Sequence, residues 1–323
     1  MQIGVIGAGA VGGAFAALLA GSGHSVEVTA RGAHLAAIRE GGLRLRGAFG
    51  PTDAAVTASE TLTGTPDIAI VTTKAQDAAA AITANLEHLR GIPLLVVQNG
   101  LDGVATATRL SPSSLVVGGL AMFAASYLSP GEITITASGP TFIGGAAADH
   151  VASLLEPPLD LAVIDNFEGA QWSKLVVNQI NALPAITGLS AQDVIADPRL
   201  RRVVVASMRE NVRVGLATGV RFGAVSGLSH GRLRLFAGAP YALAQAIPLL
   251  MRRRMGTVPN PGSTLQSIRR GQLSEIDYLN GAVVAAGLAV DVPTPVNAAL
   301  VELVHEVETR GTFFTVDEVL ARI

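Results

Sequence analysis

Lys74 and Lys174 are the only lysines among 23 basic residues, the other 21 being arginines. A chain that uses guanidinium almost everywhere for positive charge, yet keeps an amine at two places, has two chemical reasons to do so. An amine can release its proton at accessible pH, and it is a compact charge on a slim stem. Codon bias with two survivors explains the bare count equally well, so the surroundings decide. Lys74 follows the run Ile68 to Thr72 in V-T-T-K, and Asn99 follows Leu94 to Gln98 in Q-N-G. Lys174 lies in W-S-K-L-V-V-N-Q-I-N, where positions 174, 178 and 181 recur at helical spacing and give an apolar helix one polar face. Amides on such a face are ordinarily structural hydrogen bonders, and that plain reading stands for Asn181. Further on come N-P-G-S-T-L-Q, from Asn260 through Ser263 to Gln266, and E-I-D-Y-L-N-G, beginning at Glu275. Ser263 suits a helix N-cap. Glu275, about three helical turns later, could share a face with that helix start.

A second group of residues has phosphate chemistry. Gly7-Ala8-Gly9-Ala10-Val11-Gly12 is G-x-G-x-x-G, placed directly after the apolar run Ile3 to Ile6 and opening an alanine-rich helical segment. Gly7 permits a tight turn, Gly9 lets backbone approach a pyrophosphate and Gly12 lets helix pack closely on strand. The helix N-terminus would face the phosphates with its partial positive charge. The next strand ends Val28-Thr29-Ala30-Arg31, where an NAD site usually places an acid for the ribose hydroxyl. Arg31 there favours the 2′-phosphate of NADP(H); Glu27, in mid-strand, is the contrary candidate.

These residues need elements to hold them. Short β-branched runs at Ile3 to Ile6, Val26 to Thr29, Ile68 to Thr72, Leu94 to Gln98, Leu115 to Val117 and Ile133 to Thr136 alternate in part with helical segments such as Val11 to Ala20 and Asp77 to His88. Continuous apolar strands alternating with helices imply a parallel sheet covered on both faces. Lys74 and Asn99, at strand carboxyl ends, then reach the same crevice as the glycine loop. Beyond Asn166 helical patterns dominate: Gly169 to Leu183, Leu200 to Thr218, Thr264 to Ala286 and Pro295 to Glu308. The expected fold is α/β, a Rossmann-type doubly wound sheet over 1–167 followed by an all-helical domain over 168–323 that carries substrate and catalysis.

Composition narrows the classes. At 323 residues and 49% hydrophobic content the chain can bury the cores of two domains of about 100 to 200 residues. Net charge −2 argues against a nucleic-acid partner, and the absence of cysteine excludes thiolate chemistry and disulfides. The start MQIGVIGAG reads as strand and turn, not as a signal segment, so a cytoplasmic location is expected. The uncharged stretch Leu235 to Met251 is shorter than the ~20 residues needed to span a bilayer; no membrane partner is expected, and the stretch reads as a buried helix or a lid.

Taken together, the Gly7/Gly9/Gly12 loop, Arg31, V-T-T-K at Lys74, Q-N-G at Asn99, K-L-x-x-N at Lys174 and Asn178, and S-T-L-Q followed by E-I-D-Y-L-N-G resemble the ketopantoate reductase (2-dehydropantoate 2-reductase) family, in family order across nearly the whole chain. The resemblance implies NADPH-dependent reduction of a 2-keto acid, 2-dehydropantoate to pantoate in pantothenate and coenzyme A synthesis. It further implies that Lys174 is the general acid, that Glu275 hydrogen-bonds and places the substrate, that Asn178, Asn260 and Ser263 bind it, and that Lys74 and Asn99 line the nicotinamide end. An ammonium can deliver the proton and stabilise alkoxide charge, whereas arginine is a poor donor. A homodimer is left open. Asn178 and Asn181 are three residues apart where many relatives have four, no further asparagine stands near Ser190 to Asp193, and Gly223 to Pro259 is long. Another branched keto acid therefore stays an alternative, as does a non-catalytic NADP-binding sensor, against which Lys174 and Glu275 both speak. Gly227-Leu228-Ser229-His230-Gly231 matches the G-x-S-x-G elbow of hydrolases, but no strand pattern precedes it. The six histidines are scattered, so no metal site is expected.

Overall fold

The structure is a computed structural model that describes residues 1–323, for Leu128 the backbone only. Twelve strands form: β1 (Gln2–Ile6), β2 (Ser25–Thr29), β3 (Leu43–Gly47), β4 (Thr52–Ala54), β5 (Thr57–Ser59), β6 (Ile68–Val71), β7 (Pro93–Val97), β8 (Leu115–Ala121), β9 (Ala124–Ser129), β10 (Glu132–Ala137), β11 (Thr141–Gly144) and β12 (Leu161–Val163). Eight of them make one sheet in the order β12-β11-β8-β7-β6-β1-β2-β5, parallel except between β8 and β11. Every residue of β6 is buried. Ile68 and Ile70 join one core, and Ala69 and Val71 join another. Successive side chains point to opposite faces of a strand, so an unbroken apolar run is what a sheet covered on both faces requires. The order β5-β2-β1-β6-β7-β8 reverses between β1 and β6, and that reversal is where doubly wound folds bind ligands.

A second sheet, β4-β3-β10-β9, was not foreseen. Ile133 to Thr136, read from sequence as part of the parallel sheet, belongs here instead, antiparallel to β9 and parallel to β3. Its burial alternates, with Ile133 and Ile135 inside and Thr134 half out, the mark of a strand with one covered face.

The chain divides into two compact units, Met1–Phe167 and Glu168–Ile323. In the second, helices dominate and the extended pairing is a single bridge between Val225 and Leu228. Two stretches read as single helices are broken. Phe167–Asn178 passes through a 3-10 turn at Gln179–Asn181 into Ala182–Thr187, and Gly262–Arg269 stops before Gly271, whose φ of 65° no helix continues through. Residues 235–251 are not one buried helix either. The stretch is cut at Ala239 and Pro240 and again at Gln245 into His230–Gly238, Tyr241–Ala244 and Ala246–Arg254, pieces too short to bury every side, and Leu235 and Leu243 are 76% and 67% exposed. Among the described residues no helix is long and apolar enough to cross a membrane. The hydrolase-like pentapeptide is a turn, with Ser229 at the N-cap of a helix and no strand leading into it.

The helical unit is fastened by buried polar groups. Glu210, on helix Pro198–Ala217, accepts the backbone N–H groups of Val296 and Asn297 at 2.9 Å each and the Asn297 amide at 2.6 Å. A side chain from a neighbouring helix thereby caps helix Pro295–Arg310, whose own N-cap residue, Thr294, makes no side-chain cap. Asn280 bridges Gln179 and Asn297 at 2.8 and 2.9 Å in the same interior. Glu210→Ala strands these donors out of water and should cost about 2 to 4 kcal/mol of stability, seen as an earlier midpoint in urea unfolding. A midpoint within error of the parent would show the cap to be dispensable.

Candidate active site

In the first unit the glycine loop leads from β1 into helix Ala10–Gly21, with Gly9 as the N-cap. Gly7 has φ 98°, open to glycine at little cost. A Cβ on Gly12 would collide with the Gly7 carbonyl oxygen and the Thr72 hydroxyl, whereas one on Gly9 would meet nothing within 4 Å. The helix is pressed onto the sheet at Gly12 and the loop is open at Gly9, as a dinucleotide cradle needs. The backbone N–H groups of Gly7 and Ala8 are already used, donating to the Thr29 hydroxyl and carbonyl at 2.9 Å each. The donors left for an anion are those at the helix start, Ala10 to Gly12, which by geometry have no intrahelical acceptor.

Three contacts fix this loop that the sequence did not announce. Thr29 is one. His34 is the second: its Nε2–H donates to the Ala8 carbonyl at 2.6 Å while Nδ1 accepts the Gly131 N–H at 3.0 Å. That tautomer is neutral, and burial holds its pKa down against the Ala8 bond. The third is Thr72, whose hydroxyl donates to the Gly7 carbonyl at 2.7 Å. Beside it, the Gln98 amide donates to the Thr73 carbonyl at 2.7 Å, tying the loop after β7 to the loop after β6. Lys74 and Asn99, the residues next to Thr73 and Gln98, are therefore carried on loops fastened to each other, and the Thr72 hydroxyl fastens the first of these to the glycine loop. Lys74 is the N-cap residue of helix Ala75–Ala84.

At the end of β2, Arg31 is exposed at the N-cap of helix Gly32–Gly41. Glu27, the competing acid, is occupied: its Oε1 accepts the Ser59 hydroxyl and the Thr63 N–H, both at 2.9 Å. It pins β2 to β5 and the following loop.

In the helical unit, Lys174 and Asn178 stand on helix Phe167–Asn178, both half-buried, with the neighbouring core positions 172, 173, 175 and 176 buried. Burial lowers the Lys174 amine to about 8, opposed by the Glu275 carboxylate, whose negative charge favours the ammonium. The pairing brings together two residues a hundred positions apart in sequence. Glu275 does not share a helix with Ser263: helix Gly262–Arg269 has ended, and Glu275 leads into the 3-10 turn Ile276–Tyr278. Ser263 is not an N-cap either; that position is Pro261, without a side-chain cap. The Ser263 hydroxyl instead accepts from the Asn181 amide at 3.4 Å. Asn181 also closes on Gly262, where a Cβ would lie 2.7 Å from its Oδ1. Asn260 accepts the Gly262 N–H on Oδ1 at 2.9 Å, which leaves its Nδ2 donors for other partners.

Comparison with known proteins bears on these two sets of residues. The family model described as ketopantoate reductase PanE/ApbA matches residues 3–148, and the one described as its C-terminal part matches 166–308. A 2-dehydropantoate 2-reductase of Pyrococcus horikoshii is 27% identical over 322 residues, covering 96% of this chain and 99% of its own, and one of Halobacterium salinarum is 28% identical, covering 96% and 100%. Among solved structures, a PanE/ApbA family ketopantoate reductase from Ralstonia eutropha JMP134 aligns with a TM-score of 0.82 at 29% identity over 96% of this chain and 99% of that one. D-mandelate dehydrogenase in complex with NADH aligns at 0.80 and 23% identity, also over 96% and 99%, a likeness of fold.

Proposed function

Because the chain belongs to the ketopantoate reductase family of oxidoreductases, we propose that it reduces a branched 2-keto acid, 2-dehydropantoate before others, to the 2-hydroxy acid with NADPH, a step of pantothenate and coenzyme A synthesis. The observation that carries this reading is the Lys174 amine, held near 8 next to Glu275. An acid with a pKa close to working pH is protonated enough to act and acidic enough to give the proton up.

When bound, the reduced nicotinamide supplies a hydride to C2 of the keto acid. The protein's part is to finish the other half of the reaction. Lys174 donates its proton to the carbonyl oxygen as negative charge gathers there, so the C=O bond becomes CH–OH and the amine is left neutral. Before that step its positive charge already favours the alkoxide. Glu275 keeps the amine protonated and accepts a hydrogen bond from the substrate's hydroxyl. Ser263, Asn260 and Asn178 supply further polar contacts. The open backbone at Gly9, the helix start behind it and Arg31 suit a dinucleotide with a 2′-phosphate, while Lys74 and Asn99 would line its nicotinamide end. Glu27, the acid on β2, has its Oε1 engaged by Ser59 and Thr63, which favours a structural role for it over binding a 2′-hydroxyl.

Arg31→Ala tests the cofactor choice. Only the 2′-phosphate should lose a charge-assisted contact, about 1.5 to 3 kcal/mol, so the variant's Kd for NADPH should rise about ten- to a hundredfold while that for NADH stays put. Equal weakening of both cofactors would remove Arg31 from the reading.

A further inference from the structure

The turn that carries Glu275 is gripped on both sides by one pair of residues on helix Pro295–Arg310. Before Glu275, the Ser274 N–H donates to Glu308 Oε1 at 2.7 Å. After it, Asp277 Oδ1 meets His305 Nε2 at 2.9 Å, and the other ring nitrogen, Nδ1, meets Glu308 Oε2 at 3.0 Å. Ser274, Glu308, His305 and Asp277 thus form a closed chain of contacts around residues 274–277. Carboxylates only accept, so an imidazole placed between two of them needs a proton on each nitrogen to satisfy both, which is the imidazolium form.

We propose that His305 is a positioning residue: as a cation bridging Asp277 and Glu308, it fixes the turn that presents Glu275. The proposal rests on the reading of Glu275 as a group that places the substrate and partners Lys174. A neutral ring can donate to only one of the two carboxylates, so without the cation the link from Asp277 through His305 to Glu308 is broken, and the grip on the far side of Glu275 is weakened. The direction of the titration agrees with the geometry. Burial works against a charged His305 ring, but the bonds to Asp277 and Glu308 outweigh it and raise its pKa; Glu308 is held low by Ser274 and His305 in spite of burial. The other titratable groups nearby are Glu275 and Tyr278 on the turn and Glu302, Glu306 and Arg310 on the same helix. Of the helices packed on Pro295–Arg310, Asn280–Ala289 and Ala182–Thr187 carry no titratable side chain, and Glu210 of Pro198–Ala217 caps the far, N-terminal end.

A raised pKa means that the clamp is complete at low pH and is lost as pH rises through the folded-state value. In the wild type, KM for the keto acid should climb along that limb, apart from the kcat limb set by Lys174. The test is a double-mutant cycle of His305→Ala and Glu275→Ala on the full chain, with keto-acid and NADPH kinetics, and a 13C–1H NMR titration of the His305 ring. The expected results are a ring that titrates above the ordinary histidine range and, in His305→Ala, a loss of about ten- to a hundredfold in kcat/KM for the keto acid. KM for NADPH should not move, and His305→Ala should have no further effect once Glu275 is alanine. A ring titrating at or below the ordinary range, a His305→Ala protein with wild-type kinetics, or losses that simply multiply in the double variant would each overturn the positioning role alone. Wild-type activity in Glu275→Ala would overturn the use of Glu275 itself, and the positioning role with it.

Discussion

Lys174→Ala is expected to lower kcat for keto-acid reduction by about 10²- to 10⁴-fold, the usual worth of a positioned general acid. KM for NADPH should change little, because the residue belongs to the helical unit and the phosphate loop to the other. Lys174→Arg is the sharper comparison. It keeps the positive charge but not a proton that can be released near neutral pH, so it should recover part of the charge stabilisation and little of the turnover. The sign of the pH effect follows from which form works. In the proposed reaction the ammonium is the active species, so wild-type kcat should hold at low pH and fall as pH passes about 8. Glu275→Gln removes the charge that raises this pKa and should move the falling limb to lower pH. The arginine variant should show no such limb.

The second large effect is expected at the glycine loop, where two similar substitutions should part ways. Gly12→Ala drives a methyl into the Gly7 carbonyl and the Thr72 hydroxyl, both backed by the sheet. Helix Ala10–Gly21 must lift, and about 3 kcal/mol or more of stability should be lost together with cofactor binding. Gly9→Ala has open space before it, so the protein should unfold at the same urea concentration as the wild type. NADPH affinity should nevertheless fall, by about tenfold or more, because the added methyl occupies the side from which a pyrophosphate approaches. Fluorescence titration of NADPH together with urea unfolding of the two variants separates these outcomes. A Gly9→Ala protein with wild-type affinity would mean that the loop is a structural turn.

What could be read from residues alone divides along physical lines. The doubly wound sheet was legible because β6, β7 and the Ile3 to Ile6 part of β1 are unbroken apolar runs, and the glycine loop because its spacing lies between such a run and a helix. The second sheet was less so. Its strands pair residues far apart, such as Arg44 with Glu132, and a one-faced strand like β10 looks much like its neighbours unless alternation is counted. Helix breaks at Gln179–Asn181 and after Arg269 were missed because the apolar periodicity continues through them. For the candidate site, the rarity and setting of Lys174 and the family resemblance at Glu275 pointed to these two residues, but only the fold couples their charges and gives Lys174 its burial. The supporting residues had no signal at all. His34, Thr29 and the pair His305 and Glu308 act through a few hydrogen bonds each, to segments as much as 97 positions away, which no local pattern records.

The central claim is the reaction, and the most direct measurement is loss of reduced-nicotinamide absorbance when the purified chain meets 2-dehydropantoate and a panel of other branched 2-keto acids, with NADPH and NADH in parallel and the product identified by mass. The account predicts oxidation of one NADPH for each 2-hydroxy acid formed, at least about tenfold higher kcat/KM with NADPH than with NADH given the worth of a charge-assisted phosphate contact, and turnover that largely disappears in Lys174→Ala. Tight NADPH binding with no turnover of any branched 2-keto acid, or full turnover in Lys174→Ala, would contradict it.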